Sequence, residues 1–395
     1  MNSIHKLLIR LKVISLYGLS QSITPLGYLL ISYFIIKFKS IAFWGSYVEV
    51  LIWVNLILLL LSFGNKAYLL KEISKTPAKL YQLWFSNFLN RSILLIPSFL
   101  IIIFTSFFND KILLTCLWIV LLFITQSCQV LILYLKDFKY SLFVEIIFNS
   151  LILLFVFLKI DTLDLLGFLS IVVFSNLAKV LLFILYYYKK MKGLTFRFSP
   201  SELKRNIPYF IPLTLGTVRV KIDTYFANTL FSVSDLGKYQ ILISFISIGH
   251  ITTTYFVNPY LKVFFRVSDS IIKRIKRQFF VFGVFYGLAF VIATYFIITN
   301  VYLIQFTLAN YITVFTFFIP LLFQMILVNQ IYKYNQQNLV SYVALFVIFL
   351  QLIIGYFLIQ EQGIQGALIL KASSQWLITL LLWFWFRKVK NNKLA

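Results

Sequence analysis

Acidic side chains are scarce in this sequence, 12 Asp and Glu against 36 Lys and Arg in 395 residues. So few carboxylates leave little material for a metal cage, a general acid–base pair or a pocket for organic cations. Histidine and cysteine are rarer still, two of each. His5 and His250 stand alone, without the spacing of metal ligands, so no metal site is expected, and no cofactor. Cys116 and Cys128 fall in one apolar run. A helix rising about 1.5 Å per residue puts them about 18 Å apart, beyond the reach of a disulfide, so they read as small core residues. Long polar stretches are missing too, which leaves no room for a separate soluble domain. A cleaved signal peptide is not expected either, because MNSIHKLLIRLK runs into a long span with no small-residue cleavage site.

What the chain has in excess is apolar residues. It is 61% hydrophobic and 12% charged, with a mean hydropathy of +0.91. A soluble domain averages about 45–50% apolar and about 25% charged, so both departures point into a membrane. The net charge of +24 does not point to nucleic acid. The basic residues sit in short segments between apolar runs, as they do in the cytoplasmic loops of membrane proteins.

Runs long enough for a span of about 20 residues predict twelve helices, at 13–36, 43–63, 84–108, 112–135, 140–158, 163–187, 207–231, 236–260, 279–299, 310–332, 338–359 and 364–386. With the N-terminus inside, the inner segments carry 26 Lys and Arg and the outer ones five. That bias places both termini in the cytoplasm. The outer loops are very short, KIDTLD at 159–164 being typical. A membrane enzyme of polysaccharide assembly, which works from a large exterior loop or an acidic pair, is disfavoured. DTLD reads as a solvated turn.

The halves are weakly self-similar. Gly-x-Tyr of FWGSY at 43–47 recurs 192 positions later in DLGKY at 235–239. LGFLSIVVFSNL at 166–177 aligns with QGALILKASSQW at 365–376, an offset of 199. Both offsets are near half the chain length. The expected fold is therefore an all-α polytopic membrane protein, with 1–195 and 196–395 as six-helix bundles. An even number of helices per repeat relates them by a pseudo-twofold along the membrane normal.

Twelve spans in two halves, the seventh-span pattern VRVKIDTYFANTLFSVSDLGKY at 218–239 and GIQGALI at 363–369 together resemble the Wzx-type polysaccharide flippases. These belong to the multidrug/oligosaccharidyl-lipid/polysaccharide exporter (MOP) superfamily. The resemblance implies a non-enzymatic protein of the bacterial inner membrane. It would flip an oligosaccharide linked to undecaprenyl pyrophosphate, an O-antigen or capsule repeat unit, beside membrane lipids and possible polysaccharide-assembly partners. The alternative is a cation-coupled small-molecule or drug exporter of the same superfamily. Exporters of cations need acids in their spans, and away from the span edges, where Glu49, Asp164 and Lys238 lie, the charges are five basic against two acidic.

Those charges are the candidate site. Arg219, Lys221 and Asp223 lie in span seven, about 18 Å from its inner end at about 1.5 Å per residue. A charge at such depth costs about 3 kcal/mol on insertion scales. Arg219 and Asp223 are four apart and share a helix face, so they form either an intrahelical pair in a packed bundle or part of a hydrated cavity for an anion. Lys221 points elsewhere. Lys371 in span twelve, Lys179 in span six and Arg91 in span three are further substrate-binding candidates. Lys179 and Arg91 are also placed to snorkel toward the inner headgroups. Glu145 and Asp223 are the acids deep in spans, hence proton-coupling candidates, Glu145 being alternatively a partner for Lys139 or Lys179. Pro25 and Pro212 are expected to kink spans one and seven. Reporter fusions at Lys192, Lys276 and Asn391 should all read as cytoplasmic; a periplasmic signal at either of the first two breaks the two-half scheme.

Overall fold

The computed structural model describes residues 3–105, 110–191, 200–257, 268–334 and 336–392, and is helical nearly throughout. In chain order the helices are α1 (Ser3–Phe38), α2 (Ile41–Ser62), α3 (Asn65–Lys75), α4 (Leu80–Ser92), α5 (Leu95–Phe104), α6 (Ile112–Leu135) and α7 (Phe138–Leu158). They continue with α8 (Leu165–Met191), α9 (Pro200–Leu230), α10 (Val233–Val257), α11 (Asp269–Asn300), α12 (Leu308–Phe318), α13 (Leu321–Lys333) and α14 (Gln337–Asn392).

Among the described residues, nine helical segments are long and apolar enough to cross a membrane, by length and composition. The last of these, within α14, holds two spans that meet at the non-helical Gly363. α9 and α10 fall short of that measure. The first carries Arg219, Lys221 and Asp223, and the second is diluted by Ser, Thr, Gln and His. Counted with them, the helices make the expected twelve, in a multi-pass membrane protein. The expected ends of spans three and eight, at 106–108 and 258–260, lie outside the described residues.

Local sequence explains where the helices start and break. Ser40 caps α2 by accepting from the Phe43 N–H at 3.0 Å. Asp164, in the DTLD turn, caps α8 by accepting from the Gly167 N–H at 2.8 Å. Ser232 and Asp235 close α10 reciprocally: the Asp235 N–H donates to the hydroxyl at 3.2 Å, and the hydroxyl donates to the carboxylate at 2.8 Å. Such caps satisfy first-turn N–H groups that have no helical partner. Span three divides into α4 and α5 at 93–94, where the ring of Pro97 meets the carbonyl four residues back. Span ten divides into α12 and α13 at Pro320. By contrast α1 runs helically through Pro25 and α9 through Pro208 and Pro212. Those prolines end no helix.

The chain packs as two compact units, Met1–Thr214 and Leu215–Ala395. The expected junction at 195–196 lies outside the described residues. In the first unit α1 lies on α7, α6 and α7 on α8, and α2 on α6. One core gathers Tyr68 and Ile73, Trp84, Cys128 and Leu131, Val144, and Phe183 and Tyr187. Cys116 and Cys128 are both free thiols. In the second unit α12 and α13 lie on α14, and α11 on both. Leu327, Ile331, Val347, Ile378 and Leu382 form one of its cores. Side chains such as Phe285, Phe349 and Phe384 are more than half exposed, as lipid-facing positions are.

The turn between α2 and α3 is closely packed. Phe63 (φ 40°) and Gly64 (φ 70°) are both left-handed. A Cβ on Gly64 would stand 2.7 Å from the Phe210 backbone nitrogen and 3.0 Å from the Asn206 carbonyl oxygen. Phe63 stacks on Phe210, ring centroids 4.6 Å apart, and Lys71 Nζ donates to the Tyr209 hydroxyl at 2.8 Å. Gly64→Ala should therefore lose about 1–2 kcal/mol or more, the penalty of a left-handed non-glycine residue, read as a lower melting temperature of the purified protein. An unchanged melt would mean that the turn relaxes freely.

Candidate functional site

The seventh-span charges find their partners on other helices. Asp223, fully buried, does not pair with Arg219 one turn away. Lys371 Nζ, from α14, donates to both of its carboxylate oxygens at 3.0 and 2.9 Å and to the Val220 carbonyl at 2.8 Å. The hydroxyl of Tyr239, on α10, donates to the same carboxylate. Asp223 is thus held by α9, α10 and α14 together. Arg219 Nη1 instead reaches Gln375 Oε1 at 3.5 Å, and Gln375 Nε2 donates to Gln324 of α13. Gln351 Nε2 donates to the Arg219 carbonyl at 3.2 Å.

Arg219, Lys221 and Lys371 make three cations against the one carboxylate of Asp223. Lys221 is half-buried, makes no hydrogen bond among the described residues, and lies within electrostatic range of Lys371 and Asp223. His250, on α10, lies within the same range of Arg219 and Lys371. A phosphate or carboxylate would be attracted to such a surplus, and Arg219 offers the planar fork that such groups accept bidentately.

The first unit treats its charges differently. Glu145 and Lys179, on α7 and α8, form an ion pair of 2.5 Å with both side chains buried, and Lys179 Nζ lies 4.8 Å from the centre of the Phe148 ring. Lys179 therefore does not snorkel, and Glu145 is not a lone acid. Its Oε2 makes no hydrogen bond. Glu145 borders a cavity of about 70 Å³, lined also by Ser20, Gln21, Thr24, Lys66, Thr125, Gln129 and Ser141. That lining is polar enough for water.

Arg91 is fully buried, so it neither snorkels nor faces a cavity. Nη1 donates to the Leu61 carbonyl at 2.9 Å, Nη2 to Ser127 Oγ at 2.7 Å, and Nε to Asn87 Oδ1 at 2.9 Å. The Phe123 ring centre lies 5.0 Å away. Its position is the end of α2, where the last carbonyls lack helical partners and the dipole favours a cation. The guanidinium completes that helix end.

Sequence alone does not mark Tyr239 or His250 as site residues. The Gly-x-Tyr repeat was the available signal for Tyr239, and nothing local marks His250. Gln324, Gln351 and Gln375 stand out in sequence only as polar residues in or beside spans. No group of three or more His, Cys, Asp or Glu able to hold a metal occurs among the described residues.

No protein-family model matches the chain, and no curated protein matches it in sequence. Solved structures do match in fold. The MATE multidrug transporter DinF-BH, in a ligand complex, superposes with a TM-score of 0.66 at 11% identity, over 95% of this chain and 94% of that one. An outward-facing multidrug resistance MATE family transporter of the MOP superfamily gives 0.65 at 15% identity, over 97% of each chain. A MOP superfamily transporter from Pyrococcus furiosus Vc1, described by the reverse polarity of its binding pocket, gives 0.56 at 12% identity, over 96% of this chain and 94% of that one. The chain shares the fold of these transporters.

Arg91→Met should lower stability by about 1–3 kcal/mol for each acceptor stranded in the core. Full abundance and an unchanged melt in that variant would contradict the helix-end assignment.

Proposed function

We propose that this chain is an alternating-access exporter whose C-terminal bundle binds an anionic substrate. The observation that carries the reading is the surplus of Arg219, Lys221 and Lys371 over Asp223 around one stretch of α9. Fold neighbours described as multidrug transporters favour export of a small molecule coupled to a cation. The neighbour described by reversed pocket polarity, which its description links to a different function, supports the view that this fold hosts sites of either charge.

Coupling follows from the ion pairs. Asp223 holds Lys371, and Glu145 holds Lys179. A proton on either carboxylate cancels the attraction and releases the ammonium, so proton binding and anion binding favour one another. Asp223 sits inside the cationic network, which makes it the first candidate. Glu145, beside a polar cavity, is the second.

The reading of the chain as a flippase for an oligosaccharide on undecaprenyl pyrophosphate is favoured by one specific feature. A diphosphate needs several cationic donors, and Arg219, Lys221 and Lys371 lie around one stretch of α9. In that case the chain works in the bacterial inner membrane with both termini cytoplasmic, beside polysaccharide-assembly partners.

Proteoliposomes carrying a pH gradient and either a fluorescent organic cation or a fluorescent polyprenyl-diphosphate saccharide separate the two. Anion transport should fall about tenfold or more in Arg219→Ala, the loss of about one charge-assisted hydrogen bond, and Lys221→Arg should be milder than Lys221→Ala. Transport of the organic cation with no movement of the diphosphate, indifferent to Arg219→Ala, would rule out the anion site.

A further inference from the structure

The basic start of α11, KRIKR at 273–277, is divided between two faces of the helix. Lys276 turns inward, its Nζ donating to Gln330 Oε1 on α13 at 2.9 Å. Ile272 is wholly buried on that side with Leu322 and Ile326, and Ile275 and Phe279 pack against them. Farther along, a Cβ on Gly287 would stand 2.9 Å from the Phe318 Cβ. That face is closed by packing. The other face is a groove of about 530 Å³, lined by Arg274, Arg277, Gln278, Val281, Phe282 and Phe285. The spacing i, i+3, i+4, i+7, i+8 and i+11 is one stripe of a helix. All six residues are exposed, Phe285 at 67%.

Polar residues occupy one end of the groove and apolar residues the other, over about 16 Å at about 1.5 Å per residue. Amphipathicity thus runs along the helix axis rather than around it. A lipid has the same order, a charged head above a hydrocarbon chain. Arg274 and Arg277 make no hydrogen bond or ion pair among the described residues. The sequence has no Asp or Glu between Asp269 and Glu361, so neither α12 nor α13 brings a carboxylate to them. Two guanidinium groups one turn apart and bare of acids suit a phosphate, which arginine binds bidentately. Arg277 stands two residues before the apolar run 279–299, at the level of lipid phosphates. Val281, Phe282 and Phe285 lie within that run, where the surroundings are hydrocarbon. A soluble acidic partner would match the arginines and leave these three without contact.

We propose that this groove seats one anionic phospholipid, its phosphate held by Arg274 and Arg277 and an acyl chain laid along Val281, Phe282 and Phe285. Gln278 lies between the two parts, at the level of the glycerol esters, whose carbonyls its amide can hydrogen-bond. The loop-charge bias puts this end of α11 on the cytoplasmic side, where anionic headgroups attract basic residues beside a span. The seat does not depend on which substrate the chain exports.

The test uses the full-length protein in phosphatidylcholine nanodiscs doped with a lipid that carries a diazirine at mid-chain. Its headgroup is phosphatidylglycerol in one sample and phosphatidylcholine in the other. The phosphatidylglycerol probe should label residues 278–290 more than its counterpart, by about fivefold for each arginine engaged. Arg277→Gln should remove one such factor, and the double variant Arg274→Gln/Arg277→Gln should bring the two probes level. Lys273→Gln takes one charge from the same turn but off the groove, and should leave the preference standing. All three side chains are exposed, so these variants should fold as the parent does. Equal labelling by the two probes overturns the proposal. So does a preference lost as fully to Lys273→Gln as to Arg277→Gln, the mark of diffuse attraction to a basic surface. Equal labelling together with binding of a poly-glutamate peptide, abolished in the double variant, would give the face to an acidic protein instead.

Discussion

A charge inside a membrane protein has no water to fall back on, and this requirement orders much of the packing. Apolar surfaces do not drive helices together in lipid as they do in water, so close packing and hydrogen bonds select the pairs. Arg91 ties α4 to the end of α2 and to α6. The Glu145–Lys179 pair ties α7 to α8. Asp223 gathers α9, α10 and α14 through Tyr239 and Lys371. Each contact is costly to break, because the group left behind stays buried. A buried ion pair is weak evidence of net stability but strong evidence of register. Sliding any of these helices by one residue would strand a charge.

The two bundles use this chemistry to different ends. In the first, one acid meets one lysine and the remaining arginine closes a helix end, so the balance is local. In the second, the arginine has only a neutral glutamine for its guanidinium, and Lys221 has electrostatic neighbours but no hydrogen bond among the described residues. Neutral partners leave the positive potential uncancelled, which a purely structural network would have little reason to keep. The anion reading grows from that difference.

Much of the fold was legible because hydropathy and loop charge are collective signals, averaged over about 20 residues per span. The site was legible only as a set of positions. Helix spacing suggested Arg219 with Asp223, a local rule, whereas the carboxylate went to Lys371 across the unit. Depth alone suggests snorkelling for Arg91, while its target, the carbonyl end of α2, exists only once α2 stops at Ser62. Prolines divide into two kinds. Pro97 and Pro320 mark real breaks; Pro25, Pro208 and Pro212 lie within continuous helices. The DTLD turn hid a helix cap in Asp164, a role visible only when the start of α8 is fixed.

The distance along the chain between Asp223 and Lys371 has a consequence for biogenesis. The partners are 148 residues apart, so when the ribosome delivers α9 to the insertion machinery, the lysine that neutralises Asp223 has not been made. α9 and α10 are also the spans whose composition falls short of ordinary membrane helices. With charges costing about 3 kcal/mol each at mid-membrane, α9 has poor grounds to enter lipid alone. It must wait beside the translocon, or be sheltered there, until α14 emerges. Glu145 meets Lys179 on the very next helix and needs no such delay. The ion pair of the second unit therefore forms only after α14 has been made.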